Sequence, residues 1–301
     1  MTALQDIMQE AEADAFRPVW WFEPFGLDLH EFLASKTFHV LMDGLRPAAT
    51  CAMNRSYASF PLAADEPQGF LGVAPAFHSG LAVLLRPTEE TNEIVSLWPF
   101  VTDGCQQDDV EIERVMLAPN RLEAMIRGTL PSGLSLTWHD VFFAADRAFY
   151  GAGSVHSVIL SGLVHEVNEI MNAPIEIAAD NPAWNAVRAW TREGFNPDGS
   201  LTIRTKGLAA VLPGPPDASE FHAVQGPVRR VQANFKELFG QSVHLVTIAI
   251  MRDPDVELAL HVTDHVLQGG RLPTVGEDFG AAVRLVGHIW IPNVQRASAK
   301  R

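Results

Sequence analysis

From residue 79 to residue 168 the chain keeps one rhythm: short runs rich in apolar and β-branched residues, broken at close intervals by Pro, Asn and Gly. "SGLAVLLRPTEETNEIVSLWPFV" reads as two such runs around a polar turn, which is a hairpin pattern. "DVEIERVML", "RLEAMIRGTL" and "LSLTWHDVFF" follow, separated by "APN" and "PSG", and "SVHSVILSGLVHEV" closes the section. Turn residues of this kind fix where each strand stops, because Pro withdraws an N–H from the ladder and Gly and Asn accept the backbone angles of a tight turn. Strands this short and evenly spaced predict a small antiparallel barrel or sandwich.

The rhythm returns between residues 220 and 292. "EFHAVQGPVRRVQ", "SVHLVTIAIMR", "VELALHV" and "AAVRLVGHIWI" are separated by "FKELFGQ", the turn "DPD" and the loop "LQGGRLPTVGEDFG". In the third segment Val256, Leu258, Leu260 and Val262 alternate with Glu257, Ala259, His261 and Thr263, so one face is buried and the other more polar. Gly226 and Gly287 fall inside strands, where they suit the bulges or sharp bends that closing a small barrel requires. The long bent first strand, the hairpin and the final strand after "LPTVGED" resemble an oligonucleotide/oligosaccharide-binding (OB) type barrel over residues 220–292, and the section 93–168 shares the pattern. The resemblance is one of pattern, and fold analogy does not carry function.

The remainder divides around these two sections. Residues 1–78 read as a helical and irregular N-terminal portion. Thr2 and Gln5 make a capping-box pattern ahead of Leu4, Ile7, Met8 and Ala11 at helix spacing, Pro18 ends that helix, and a second helical segment runs near 28–43. The pair Trp20 and Trp21 suits a core or a subunit interface. Between the barrels, at 171–219, Asn181 as N-cap, Pro182 at the first helical position and Gly194 past the end predict one inter-barrel helix near 182–193, followed by the Pro/Gly-rich linker "LPGPPDAS". Residues 293–301 read as a flexible tail. The expected fold is therefore mainly β (α+β overall): two small antiparallel barrels at 79–170 and 220–292, the second OB-like.

Composition limits what such a protein can bind. Lys and Arg number 22 against 36 Asp and Glu, a formal charge of -14, which repels phosphate backbones and argues against a nucleic-acid partner even though OB-type barrels often bind single strands. Cys51 and Cys105 are the two cysteines and match no metal-ligand spacing, and buried thiols in a reducing compartment are the simpler reading. "MTALQDIMQEAEADAF" has no apolar core of signal-peptide length and no run has transmembrane length, so a cytoplasmic protein with no membrane partner is expected.

Two stretches hold candidate chemistry. "HVTDH" supplies His261, Asp264 and His265, with His288 as a further ligand for a metal site. The strand pattern argues against it, since residues four apart on a strand are about 13 Å apart and converge only across a bend. "WHDVFFAADRAFYGAG" supplies His139, Asp140, Arg147 and Tyr150, polar residues among aromatics between two strands, a setting that suits a small polar ligand as well as a structural tie. No G-x-S-x-G elbow occurs, Ser161, His165 and Glu166 are neighbours in sequence without the spatial logic of a triad, and "GAG" and "QGG" lack the Lys and strand-to-helix setting of a phosphate loop. The reading is a non-catalytic binding or assembly protein without cofactor, with a protein partner, self-association or a small polar ligand. The alternatives are a metal-dependent hydrolase using His261 and His265, and an enzyme or small-molecule sensor built around Asp140, Arg147 and Tyr150.

Overall fold

The structure, a computed structural model, describes residues 8–10, 21–47, 70–76, 78–151, 153–168, 170, 174–179, 196–213 and 221–290. Strand β1 (Met8–Glu10) precedes two short helices, α1 (Leu29–Ala34) and α2 (Lys36–Asp43). Each helix begins where a side chain satisfies an orphan N–H: Asp28 accepts from Glu31 N at 3.0 Å and Ser35 from Phe38 N at 3.1 Å. Strands β2 (Arg46–Pro47), β3 (Phe70–Pro75), β4 (Ser79–Pro87) and β5 (Asn92–Val101) form an antiparallel four-stranded sheet in that order.

The chain then builds one series twice. Strands β6 (Gln107–Leu117), β7 (Ala124–Thr129) and β8 (Ser135–Asp140) lead through the one-turn helix α3 (Phe143–Asp146) to β9 (Val155–Asn168). An antiparallel pair of β10 (Ile175–Ile177) and β11 (Leu201–Ile203) and the strand β12 (Ala210–Pro213) intervene. Strands β13 (Phe221–Leu238), β14 (Gln241–Arg252) and β15 (Asp255–Thr263) then lead through α4 (Asp264–Leu267) to β16 (Asp278–Ile289).

Each series makes four strands of a closed five-stranded ring and borrows the fifth from the other. Ring one runs β6–β7–β8–β16–β9 and closes because β9 also pairs with β6. Ring two runs β13–β14–β15–β9–β16 and closes because β16 also pairs with β13. The central pair β9–β16 is common to both, over a register that runs from Asn168↔Gly280 to Val158↔Ile289. Ring two is the OB-like barrel expected over 220–292, completed by β9 from the first section. The rings are not wholly antiparallel: each borrowed strand enters beside the third strand of its host in the parallel sense, β16 beside β8 and β9 beside β15.

The long first strands β6 and β13 each bend so that their first half pairs with the last strand of the ring, β9 and β16 respectively, and their second half with the second strand. At Gly226 the bend presses β13 onto β14, and a Cβ there would lie 1.8 Å from Ala249 O. Gly287 plays the same part in the shared pair, where a Cβ would lie 2.7 Å from Ile159 O. These glycines are fixed by close approach of backbones. One apolar core fills both rings, with Trp138, Val164, Leu260 and Leu285 fully or almost fully buried. A second core joins the four-stranded sheet, α1 and α2 to the outside of ring one through Phe22, Phe32, Phe38, Trp98, Phe100 and Phe142.

Several expectations meet a different outcome. Met8–Glu10 run as a strand parallel to β6 at Val115–Leu117, so edge pairing overrides the helical spacing read there. The strands at 79–101 form their own sheet beside ring one. Strands β10, β11 and β12 occupy part of the stretch read as helix and linker, with β12 paired to β13. The helix expected at 182–193, the N-terminal helix outside residues 8–10, Trp20, Cys51 and the tail 293–301 lie outside the described residues.

Candidate functional site

The four residues of the first candidate cluster sit where β8 turns into α3, and all are buried, with exposures between 1% and 3%. Asp140 Oδ1 accepts from Phe142 N at 2.8 Å, and its Oδ2 accepts from the Tyr150 hydroxyl. Those two bonds tie both ends of α3 to the ring. His139 faces the other way, its ring 4.7 Å from Trp21 and 4.9 Å from Trp98 between centroids. Burial, helped by the positive charge of Arg284, pushes its pKa down to about 3, so it is neutral. Arg147 Nη1 donates to Arg121 O at 3.3 Å, in the turn between β6 and β7. Asp140 and Tyr150 are thus brought together, and His139 is on the opposite side of the strand.

The second set is not brought together as a metal site. Among the described residues no group of three or more His, Cys, Asp or Glu is placed to hold a metal ion. His261 is fully buried, with Nδ1 2.7 Å from Ser161 Oγ and Nε2 3.1 Å from Asp103 O. A carbonyl only accepts, so Nε2 carries the proton and Nδ1 accepts from the serine hydroxyl. Burial pushes this histidine down to about 4, against the opposing pull of the Asp103 carbonyl. Asp264 pairs with His244 Nε2 at 2.8 Å, His265 is exposed and packs over Gly26, and His288 is buried against Phe142. The bend after Thr263 exists, since its hydroxyl caps α4 by accepting from Val266 N at 3.2 Å, but it turns Asp264 and His265 outward.

A cleft of about 180 Å³ opens at the seam of the rings, where β6 and β9 face β13, β14 and β15. Its floor is aliphatic, from Leu136, Leu160, Ile250 and Leu258. Its polar groups are Asp108, Arg229, Arg230, Thr247 and Glu257, with Gly104 and Gln106 from the loop before β6. Thr247 is 6% exposed, and its hydroxyl has no hydrogen-bond partner among the described residues. Arg229 is held by Asp255 at 3.2 Å and Glu257 at 3.9 Å. Arg230 Nη2 donates to Gly104 O at 3.1 Å and meets no carboxylate within ion-pair distance among the described residues. The Asp108 carboxyl is held above its ordinary range by burial and by Asp109.

His261 contributes to this cleft indirectly. By bonding Ser161 on β9 and Asp103 O at once, it pins the loop that carries Gly104 and Gln106 against the seam. Lys236 on β13 holds the same loop through the Asp103 carboxylate and also bonds Ser79. Thr247, Arg230 and Asp108 went unmarked in the sequence. A lone Thr within "LVTIAIM" and an Arg pair within "PVRRVQ" are ordinary strand residues until the partner strands are known.

No family model matches the chain, and no curated protein matches it. Among solved structures, that of the cytoplasmic molybdate-binding protein ModG, in a PEG-grown form with molybdate bound, is similar over 61% of this chain and 95% of that chain, at 12% identity and a TM-score of 0.29. A likeness that distant carries no argument about what this chain binds. Among the described residues no helix is long and apolar enough to cross a membrane.

Proposed function

We propose that the protein is a non-catalytic binding protein whose small polar ligand sits in the cleft at the seam of the two rings. The observation that carries this reading is Thr247: a buried hydroxyl without a partner costs about 1–3 kcal/mol, and in the wall of the cleft a rotation of its side chain toward the opening lets a ligand complete its hydrogen bond. The aliphatic floor with a few polar groups at its edge has the make-up of a ligand pocket. Its volume is below the roughly 300 Å³ at which drug-sized pockets begin, so the ligand has few heavy atoms and nucleotide cofactors are too large.

A thermal-shift screen of small polar metabolites on untagged protein tests this. Compounds that stabilise the wild type are expected to lose their shift in Thr247→Val, which keeps the shape of the side chain and removes the hydroxyl. Stabilising compounds that act equally on Thr247→Val place the site elsewhere and overturn the reading.

A further inference from the structure

We infer that the ligand of this cleft is a small zwitterion with a short aliphatic body, the chemistry of an apolar α-amino acid. The inference rests on the reading of the cleft as a ligand site and narrows it by charge. Four charged side chains line the cleft, and two of them neutralise each other: Arg229 lies within ion-pair distance of Glu257, and Asp255 holds it from the other side. Two charges of opposite sign remain. Among the described residues the guanidinium of Arg230 has only the Gly104 carbonyl as partner, and the Asp108 carboxyl has neither a donor nor a cation. Thr247 and the floor of Leu136, Leu160, Ile250 and Leu258 line the same cleft.

A simple anion shares the cleft with Asp108 and a simple cation shares it with Arg230, so either meets like charge. A zwitterion satisfies both, with its carboxylate toward Arg230 and its ammonium toward Asp108. Charge-assisted bonds of this kind are the strong ones, and guanidinium and carboxylate match in planar geometry. Thr247, turned toward the cleft, then completes a hydrogen bond to either end, while the aliphatic side chain covers the leucines. The loop that presents the Gly104 carbonyl stands at the left-handed φ of 74°, which fixes that carbonyl as the anchor holding Arg230 over the cleft.

The test is calorimetric titration with L-leucine, with isocaproate, which lacks the ammonium, and with isopentylamine, which lacks the carboxylate. Leucine is expected to bind, and each truncated analogue to lose about tenfold or more in affinity. Asp108→Asn is expected to weaken leucine by about the same factor without weakening isocaproate, and Arg230→Gln to weaken leucine without weakening isopentylamine. Both positions are at the rim, and unchanged melting temperatures confirm that the variants fold. Isocaproate binding as tightly as leucine makes this an anion site and overturns the inference. Leucine failing to bind, while other compounds give shifts that Thr247→Val abolishes, removes the zwitterion and leaves the cleft standing as a ligand site. If nothing responds to Thr247→Val, both readings fall.

Discussion

Two polar regions of this molecule invite comparison: the cluster where β8 turns into α3, and the cleft at the seam of the rings. The first is rich in groups that do chemistry, with an Asp, a His, an Arg and a Tyr close together, yet all four are at most 3% exposed, with Asp140 bonded to Tyr150 and Phe142 N and Arg147 to Arg121 O. The second has a plain threonine and two charges left over, but it is open to a ligand. What separates them is access. A buried polar network whose members bond each other specifies the fold. A polar group left wanting beside an opening is what a ligand can complete.

The largest effect that sharpens this contrast is on pH. His139 is held down to about 3, and His165 and His261 to about 4, in each case mainly by burial. Each therefore binds a proton in the unfolded chain, below about pH 6.5, before it does in the folded one. Their contribution is intact above pH 6.5 and is lost as pH falls toward 4. Glu123 works in the opposite sense. Fully buried, with bonds from Ser96 Oγ at 2.9 Å and from Asn120, it is pushed up to about 7, so its contribution is intact below the ordinary 4.5 and is lost as pH rises to 7. With three groups against one, urea unfolding is expected to show a net loss of several kcal/mol between neutrality and about pH 5. Glu123→Gln should steepen that loss. A flat profile would mean that the buried histidines are not held neutral.

Next in size is Asp140→Ala, which strips partners from the Tyr150 hydroxyl and the Phe142 N–H at once. Bonds to a charged acceptor contribute about 1.5–3 kcal/mol each, so a loss of about 3 kcal/mol in unfolding free energy is expected, with ligand affinity in the folded protein unchanged. If the variant keeps its stability and loses the ligand, the roles of the two regions are reversed.

The turns made the strands legible in the sequence, and with them both series of four strands and the OB-like pattern of the second. The exchange of β9 and β16 was not legible. Alternation in "SVILSGLV" or "AAVRLVGHI" says that a strand has a buried face, and nothing in it says which neighbours pair on either side. The candidate site failed for the same reason. Asp108, Leu160, Arg230 and Thr247 come from four strands that meet only through that exchange, whereas His139 to Tyr150 stood out because they are close in sequence. His261 was singled out for metal chemistry. Its two ring nitrogens are instead used to fix the loop over the cleft, a role decided by Ser161 and Asp103, about 100 and 158 residues away in the chain.

Thr247→Val puts the contrast at a single atom. Replacing an unpartnered buried hydroxyl by a methyl group of similar shape removes a desolvation cost, so the free protein is expected to gain about 1 kcal/mol, while ligand-induced stabilisation disappears. Gain of stability with loss of binding is the opposite of what Asp140→Ala should give, and it is the pattern of a position kept for function at some expense to the fold. A destabilised Thr247→Val, read by the same urea titration, would show that the hydroxyl has a partner in solution and belongs with the closed cluster.

Arg230→Gln has the smallest expected effect on the fold. The side chain is exposed and its bond to Gly104 O is one that glutamine can in part replace, so the change in unfolding free energy should stay within about 0.5 kcal/mol. Its effect on binding should also depend on salt, because an exposed guanidinium attracts its partner across water that ions screen, with a Debye length of about 8 Å at physiological ionic strength. Leucine affinity in the wild type is therefore expected to weaken as salt is raised, and the affinity of Arg230→Gln to change less. Equal salt dependence in the two proteins would assign the carboxylate to some other cation, and Arg229, released from Glu257 when the ligand enters, is the one within the cleft.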